Sequence, residues 1–283
     1  MPKQSSGVSG FLDNTLATIK SCVKQVVEKS AKINPANSAT NQLIILGNGP
    51  SLRTNLNNDL DLLRSADTLA VNFAANTPEF SEIQPTYYLL ADPHFFDKAG
   101  DDPNVGRLIE NLNSITFPMT LFVPAGARKA DSYFHNQNLT VKHFSFTAVE
   151  GYTWFENAMM NSHRGMPRPR NVLIPSIMVG IWLGYKEIYL LGADHSWLKT
   201  LSVNDRNEVV SIQPHFYKED SREQQRVNEV YVNRQLHEVL ESMMIAFKSY
   251  HRIREYADRC GTQIFNSTPG SMIDAFERAS LPR

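Results

Sequence analysis

The sequence predicts an α/β fold in which helices flank a mostly parallel sheet. Short apolar segments of strand length alternate with segments of helical spacing along most of the 283 residues. Strands that are apolar on both faces are typical of parallel sheets, because helices cover such sheets on both sides. In sheets of this kind the ligand binds beyond the carboxyl ends of the strands. The fold therefore predicts a binding site at that edge.

The predicted elements follow from apolar periodicity and from the positions of turn residues. The predicted strands lie at 43–46, 68–72, 86–91, 119–123, 141–144 and 187–191. The predicted helices lie at 55–65, 104–112, 175–184, about 228–259, and 270–279.

The composition is that of an ordinary globular protein. Hydrophobic residues make up 42% of the chain, which is enough for a substantial core. With 28 basic and 29 acidic side chains, the net charge of −1 gives no support for a nucleic-acid-binding surface. The two cysteines, Cys22 and Cys260, lack metal-ligand spacing and favour a reducing cytoplasm. No apolar run approaches the roughly 20 residues of a membrane span, and no secretory signal is recognisable.

Residues 1–40 differ from residues 41–283, which we assign to one main domain. Ends rich in Ser, Gly and Asn flank a segment whose apolar residues recur at helical spacing, with Lys20, Lys24 and Lys29 among them. This pattern predicts one amphipathic helix, appended to the main domain. The helix either packs on the domain or a partner subunit, as in a homo-oligomer, or lies on the inner surface of a membrane.

The turn Gly47-Asn48-Gly49-Pro50-Ser51 follows the first strand directly. Gly47 and Gly49 allow a sharp turn and close approach to a ligand, and Pro50 suits a first helical turn. Exposed amides and the helix dipole would then suit a phosphate. The alternative is a plain strand-to-helix connection. The turn is neither the dinucleotide fingerprint, because position 52 is Leu, nor a P-loop, because it lacks the Lys.

Polar residues follow four of the predicted strands. They are Asn48, Asn72, Asp92 and Asp194. Each one alone could be a turn former or a helix cap. Because parallel strands end at the same edge of a sheet, the four together predict a binding site there.

These residues resemble known motifs. Gly47-Asn48-Gly49-Pro50-Ser51-Leu52 is similar to the opening motif of the bacterial sialyltransferases of glycosyltransferase family 42. It is also similar to that of domain-of-unknown-function family 115, which includes flagellin nonulosonate transferases and an archaeal pterin diphosphokinase. Four further matches recur in order, at Val71-Asn72-Phe73, Asp92-Pro93-His94-Phe95-Phe96, 183–194 and 264–271.

The resemblance implies a Rossmann-like domain and a metal-independent, inverting glycosyltransferase. Such an enzyme moves an acidic keto-sugar from a CMP-sugar to a surface glycan or protein acceptor, with no cofactor besides the donor. The oxocarbenium-like transition state needs donors for the departing phosphate and a base for the acceptor hydroxyl. Asn48 and Ser51 would hold the nucleotide and Asn72 the donor. Ser176 would contact the donor carboxylate, unless it only caps a helix.

The polar segment 195–227 is predicted to be an active-site lid, because long irregular insertions often have that role. It contains Gln213-Pro214-His215-Phe216-Tyr217. The resemblance implies that His215 is the general base and that Tyr217 stabilises the leaving phosphate. The ordinary pKa of histidine, about 6.5, suits a base at neutral pH. His195, directly after Asp194, is the strongest rival.

Some positions depart from the resemblance. Asp92 stands where the family has Asn, and a carboxylate there would repel an anionic donor. Leu173 stands where the family has Arg, while Arg168 and Arg170 lie upstream, in a loop that could face an anion or only solvent. Two other functions therefore stay open. One is Mg²⁺- and ATP-dependent diphosphoryl transfer, with Asp92 and Asp194 as metal ligands. The other is nucleotide binding without catalysis.

Overall fold

The computed structural model describes residues 8–29, 31–97, 100–127, 129–211, 216 and 234–282. Within these residues, the main sheet has eight strands, and every pairing between neighbours is parallel. In chain order the strands are β1 (Gln42–Leu46), β2 (Asp67–Val71), β3 (Tyr87–Leu89), β4 (Met119–Pro124), β5 (Leu139–Phe144), β6 (Glu187–Leu191), β9 (Gln263–Asn266) and β10 (Glu277–Arg278). A separate antiparallel hairpin consists of β7 (Ser202–Val203) and β8 (Val209–Val210).

The order of the strands places a crevice beside β1. Across the sheet the order is β10-β9-β6-β1-β2-β3-β4-β5. The chain therefore runs from β1 outward to β5 and then crosses back to β6, on the other side of β1. At such a reversal the connections leave in opposite directions, which opens a crevice at the carboxyl ends of the two strands.

Helices cover both faces of the sheet. They are α1 (Val8–Val27), α2 (Leu52–Asn58), α3 (Leu60–Ser65), α4 (Pro78–Ile83), α5 (His94–Asp97), α6 (Pro103–Asn113), α7 (Ala130–Tyr133), α8 (Thr153–Asn161), α9 (Leu173–Trp182) and α10 (Leu236–Cys260). Two 3₁₀ turns lie at Asn72–Asn76 and Ser196–Lys199.

The side chains of β1 alternate between two cores. Leu43 and Ile45 belong to the core cluster that also contains residues of α9 and α10. Ile44 and Leu46 point to the opposite face, where they join residues of α2 and α3. Because both faces are covered, the strand reads as a continuous apolar run, as expected of a central parallel strand.

The α/β architecture with a mostly parallel sheet is confirmed. Each of the six strands predicted from periodicity is present, with ends that differ by at most two residues. The helix predicted at 55–65 is wrong as a single element, because the chain breaks at Asp59 into α2 and α3. The hairpin of β7 and β8 lies within the segment 195–227, for which we predicted only irregular structure.

The helix predicted at 270–279 is also wrong. Gly270 has a φ of +67°, and the chain continues as an extended segment that ends in β10. The Arg278 guanidinium donates to the carbonyls of Thr268, Ser271 and Ile273, at 3.1, 2.6 and 3.1 Å. These bonds satisfy carbonyls that a helix would pair internally, so the apolar spacing here marks burial against the core and not a helix.

The N-terminal helix α1 is present. Ile33, which follows it, is 2% exposed and belongs to the main core. In the part of the chain that the structure describes, no helix has the length and apolarity needed to cross a bilayer.

The tight packing of α9 generates a stability prediction. A Cβ added at Gly180 would lie 2.9 Å from side-chain atoms of both Leu43 and Ile188. We expect Gly180→Ala to lower the free energy of unfolding by about 1–2 kcal/mol, because overpacking exceeds the gain in helix propensity. Denaturant titration measures the change.

The matched control is Gly106→Ala in α6, where an added Cβ meets no atom within 4 Å. That variant should raise the free energy of unfolding by roughly 0.5–1 kcal/mol, since only the propensity term remains. Equal effects at the two glycines would contradict the packing assigned to α9.

Candidate functional site

The crevice at the carboxyl ends of β1, β2 and β6 is a cleft of about 130 Å³. It is lined mainly by loops that follow these strands and by the start of α9. The lining residues are Asn48, Gly49, Pro50, Asn72, Asn171, Val172, Leu173, Gly192, Asp194, His195, Ser196 and Trp197. Three of the four predicted strand-end residues, Asn48, Asn72 and Asp194, therefore converge here.

Glycines let the loops after β1 and β6 pack backbone against backbone. The amides of Gly47 and Gly49 donate to the carbonyls of Leu191 and Gly192, each at 2.8 Å. A Cβ at Gly47 would lie 2.5 Å from the Gly192 oxygen, and one at Gly49 would lie 2.6 Å from it. Real Cβ atoms do not come this close to a carbonyl, so both positions require glycine for the contact between the loops.

Asp194 lies at the N-terminus of α2. Its Oδ2 accepts the Ser51 hydroxyl at 2.7 Å, and its Oδ1 accepts the Ser51 amide at 3.3 Å. The amides of Gly47, Gly49 and Ser51 are thus bound to protein acceptors. The expectation that these amides are exposed to a phosphate is wrong, because Asp194 and the β6 loop already occupy them.

The two asparagine side chains at the ends of β1 and β2 are better placed to bind a ligand. The Oδ1 atom of Asn48 is buried and has no hydrogen-bond partner within the described structure. Asn72 has a φ of +53°, and its carbonyl accepts the Tyr88 hydroxyl at 2.6 Å. A buried polar atom without a partner costs free energy, which a ligand at that point could recover.

His195 belongs to a buried hydrogen-bonded chain. Its Nε2 lies 2.8 Å from the Tyr250 hydroxyl, and that hydroxyl donates to Asn171 Oδ1 at 2.9 Å. Asn171 Oδ1 also accepts the Leu173 amide at 3.0 Å, so its side chain caps α9. The Nδ2 of Asn171 also lies 3.5 Å from the Nε2 of His195, so His195, Tyr250 and Asn171 form one closed hydrogen-bonded network.

Burial changes the pKa values of His195 and Tyr250. Removal from water lowers the pKa of His195 to about 4 and raises the pKa of Tyr250 well above its ordinary value. His195 is therefore neutral at pH 7. A group with so low a pKa is a weak general base at neutral pH, which disfavours the catalytic role that we gave to His195 as the rival of His215.

Two predicted binding residues do not line the cleft. Ser176 lies in α9 and is fully buried, and its hydroxyl donates to the Val172 carbonyl at 2.8 Å. It neither faces a ligand nor caps the helix, because Asn171 has the capping role. Asp92 is exposed at the end of β3, two strands from β1, where its Oδ1 accepts the His94 amide at 2.9 Å.

The two arginines upstream of α9 have ordinary surface roles. Arg168 forms an ion pair with Glu150, which lowers the pKa of that carboxyl. Arg170 is exposed.

His215 and Tyr217 lie outside the described residues. Phe216, between them in the chain, is described and is 8% exposed. Its amide donates to the Asn48 carbonyl at 3.0 Å, and its own carbonyl accepts from Arg53 at 3.0 Å. The chain at Phe216 is thus bound to the loop that follows β1.

Sequence reasoning missed Asn171, Trp197 and Tyr250. The signal for Asn171 was available, because Asn directly before an apolar helical pattern is a typical N-cap. Trp197 packs beside His195, with ring centroids 5.2 Å apart. Tyr250 lies 55 residues after His195 in the chain, and no local sequence pattern predicts the hydrogen bond between them.

Gly49→Ala should lower the stability of the fold. The added Cβ would meet the Gly192 carbonyl and the Asp194 carboxylate, so the two loops must separate. We expect a loss of at least about 2 kcal/mol in the free energy of unfolding. Gly126→Ala, where an added Cβ has no neighbour within 4 Å, is the control for denaturant titration. If the Gly49→Ala variant were as stable as the wild type, the close contact between the two loops would be contradicted.

The low pKa of His195 predicts an acid-sensitive fold. The native state keeps this ring neutral down to about pH 4, whereas the unfolded chain binds a proton near pH 6.5. Stability is therefore lost as the pH falls from about 6.5 toward 4, by about 2 kcal/mol at pH 5. His195→Gln keeps a hydrogen-bonding group beside Tyr250 and should lack this pH-dependent loss of stability. Denaturation midpoints of the wild type and the variant at pH 7 and pH 5 measure this loss. Equal decreases in the midpoints of the two proteins would contradict the prediction.

Comparisons with known proteins support the architecture. No sequence model of a protein family matches this chain, and no curated protein matches it significantly. Among solved structures, the MAf glycosyltransferase from Magnetospirillum magneticum AMB-1 is similar, with 15% identity and a TM-score of 0.50. The match covers 96% of this chain but 39% of that protein. This chain and a part of that glycosyltransferase therefore share a fold.

Proposed function

We propose that this chain is a glycosyltransferase that uses a CMP-activated acidic sugar as donor and needs no metal ion. The observation that carries the proposal is the convergence of Asn48, Asn72 and Asp194 on one cleft beside β1. This is where α/β proteins of this topology bind nucleotides. The fold shared with a glycosyltransferase supports the same reaction class.

The charge of the cleft favours a nucleotide with one phosphate. Among the described residues that line it, Asp194 is the one acidic side chain, and none is Lys or Arg. A nucleoside triphosphate would bring about four negative charges beside that carboxylate, with no cation on the described lining to offset them. A CMP-sugar brings fewer negative charges, and amide side chains can bind its phosphate.

Each lining group has a role in this proposal. The Asn48 and Asn72 side chains bind the nucleotide or its phosphate through amide donors and acceptors. Asp194 accepts from a ribose or sugar hydroxyl while it keeps Ser51, because each carboxylate oxygen has two lone pairs. Trp197 offers an aromatic surface on which a base or a sugar ring can stack.

The chemistry also needs a base for the acceptor hydroxyl and a donor for the departing phosphate. We propose His215 as the base and Tyr217 as the donor. Both are covalent neighbours of Phe216, which is bound to the Asn48 carbonyl. The acceptor is a glycan or a protein.

The described residues give less support to diphosphoryl transfer from Mg²⁺-ATP. That reaction would use Asp92 and Asp194 together as metal ligands. The structure separates them, since Asp194 lines the cleft and Asp92 caps a turn after β3.

The donor assignment predicts selective stabilisation by CMP. A thermal-shift screen with CMP, CDP, UDP, GDP and ATP, each with and without Mg²⁺, should show the largest rise in Tm with CMP in both conditions. Asn48→Ala should weaken CMP binding about five- to tenfold, because it removes one ligand hydrogen bond but none within the described protein. Asn57→Ala, an exposed position in α2, is the matched control.

If only ATP with Mg²⁺ stabilises the protein, the diphosphokinase interpretation replaces this one. If no nucleotide does so, the cleft is not a nucleotide site. Transferase activity that survives EDTA supports the metal-independent mechanism.

The base assignment predicts a split between turnover and binding. His215→Ala should lower kcat by about 10²–10⁴-fold with little change in CMP affinity, because a base acts on the acceptor and not on the nucleotide. Tyr217→Phe should cause a smaller loss, since it removes one hydroxyl. Steady-state kinetics with a CMP-sugar donor measure both variants. Normal turnover of the His215 variant, together with inactive His195→Gln, would reverse the assignment.

A further inference from the structure

Helix α1 binds to the rest of the protein through its polar side. The Ser21 hydroxyl donates to the Glu150 carbonyl at 2.9 Å and accepts the Glu150 amide at 3.0 Å. The Thr18 hydroxyl accepts the Tyr152 amide at 3.1 Å. Ser21 is 3% exposed. An amphipathic helix on a protein core ordinarily turns its apolar side inward, and α1 does the reverse.

The apolar side of α1 faces outward along its whole length. Seven large apolar side chains are between 53% and 87% exposed. We call this surface the α1 stripe; it consists of Phe11, Leu12, Leu16, Ile19, Val23, Val26 and Val27. A continuous exposed apolar surface of this kind marks a contact with another molecule or with a membrane.

Aromatic residues of the main domain extend the stripe. Tyr152 lies 6.1 Å from Phe11 and stacks on Trp154, with centroids 6.4 Å apart and planes 15° apart. Trp154 is 69% exposed. Tryptophan and tyrosine are enriched where a membrane meets water, because their rings are apolar and their tips polar.

Basic residues border the stripe. Lys20 and Lys24 lie beside it on the helix, and Lys29 follows the helix. Between residues 8 and 32 the sequence has four lysines and two acidic residues, of which Glu28 accepts a hydrogen bond from the Thr147 hydroxyl. Lysines beside an apolar helix face suit the negative headgroups of anionic lipids.

We propose that the α1 stripe and Trp154 bind the interfacial region of an anionic lipid bilayer, with α1 parallel to the surface. The stripe enters the boundary between headgroups and acyl chains, and the lysines contact lipid phosphates. The polar hydrogen bonds to Glu150 and Tyr152 keep the helix on the domain in this orientation. A second copy of the chain is the competing occupant, but a lysine border adds like-charge repulsion to such a contact.

The location of α1 also fits a membrane-borne acceptor. Gln25 of α1 donates to the Arg164 carbonyl at 2.9 Å, and residues 165–170 lead from there to Asn171 at the cleft. Helix α1 therefore contacts the segment of the chain that leads to the cleft. The lipid-binding proposal does not depend on the transferase proposal, since vesicle binding is measured without turnover.

The test is flotation of the full chain with vesicles of phosphatidylcholine alone and of phosphatidylcholine with phosphatidylglycerol. We expect binding to the anionic vesicles that weakens as salt is added. Ile19→Ser combined with Val23→Ser should reduce partitioning about tenfold or more. The matched control combines Leu240→Ser and Met244→Ser, an exposed apolar pair with the same spacing on α10. It should bind like the wild type.

Two further measurements keep the test independent of folding. Lys20→Gln with Lys24→Gln leaves the stripe intact and should remove the preference for anionic vesicles. Tryptophan emission should shift to the blue on vesicle binding in the wild type and not in Trp154→Phe. Absence of vesicle binding by the wild type, or equal losses in the two serine pairs, would overturn the proposal. The proposal would also be overturned if light scattering detected a dimer that binds no vesicles and that Ile19→Ser with Val23→Ser dissociates, while Leu240→Ser with Met244→Ser does not.

Discussion

The cleft depends on the close contact between the loops that follow β1 and β6. Gly47 and Gly49 approach the Gly192 backbone so closely that no side chain fits between them. This contact holds the carboxyl ends of the two strands together and directs Asp194 toward Ser51. Asn48 and His195, which lie in these two loops, take their positions from it. Glycine at these positions therefore serves the contact between the loops first and any ligand second.

Periodicity predicted six of the eight described strands of the sheet, because apolar runs bounded by turn residues specify buried parallel strands almost by themselves, but it did not predict β9 or β10. It failed at 270–279, where Arg278 binds three carbonyls of an extended segment whose buried residues imitate helical spacing. It failed again at Asp59, where two short helices replace one. At 270–279 the deciding interactions are local hydrogen bonds, which hydrophobic spacing does not record.

The site was predictable as far as strand ends determine it. Asn48, Asn72 and Asp194 meet because their strands are neighbours or next neighbours, whereas Asp92 ends a strand too far from β1. The partners of His195 are Tyr250 of α10 and Asn171, just before α9, so only tertiary structure could identify them. Burial by those helices also lowers the pKa of His195, and an isolated sequence position gives no indication of that.

Two residues at the cleft have a backbone conformation that lowers the stability of the fold. Asn72 and His195 both have left-handed φ values, +53° and +52°, which cost a residue with a side chain roughly 1 kcal/mol. Glycine would relieve that strain and at the same time delete the group that faces the cleft. If Asn72 binds the ligand as proposed, the stability of the fold and the binding of the ligand make opposite demands on this position. In the proposed function, the backbone strain at this position is therefore part of the free-energy cost of binding the ligand.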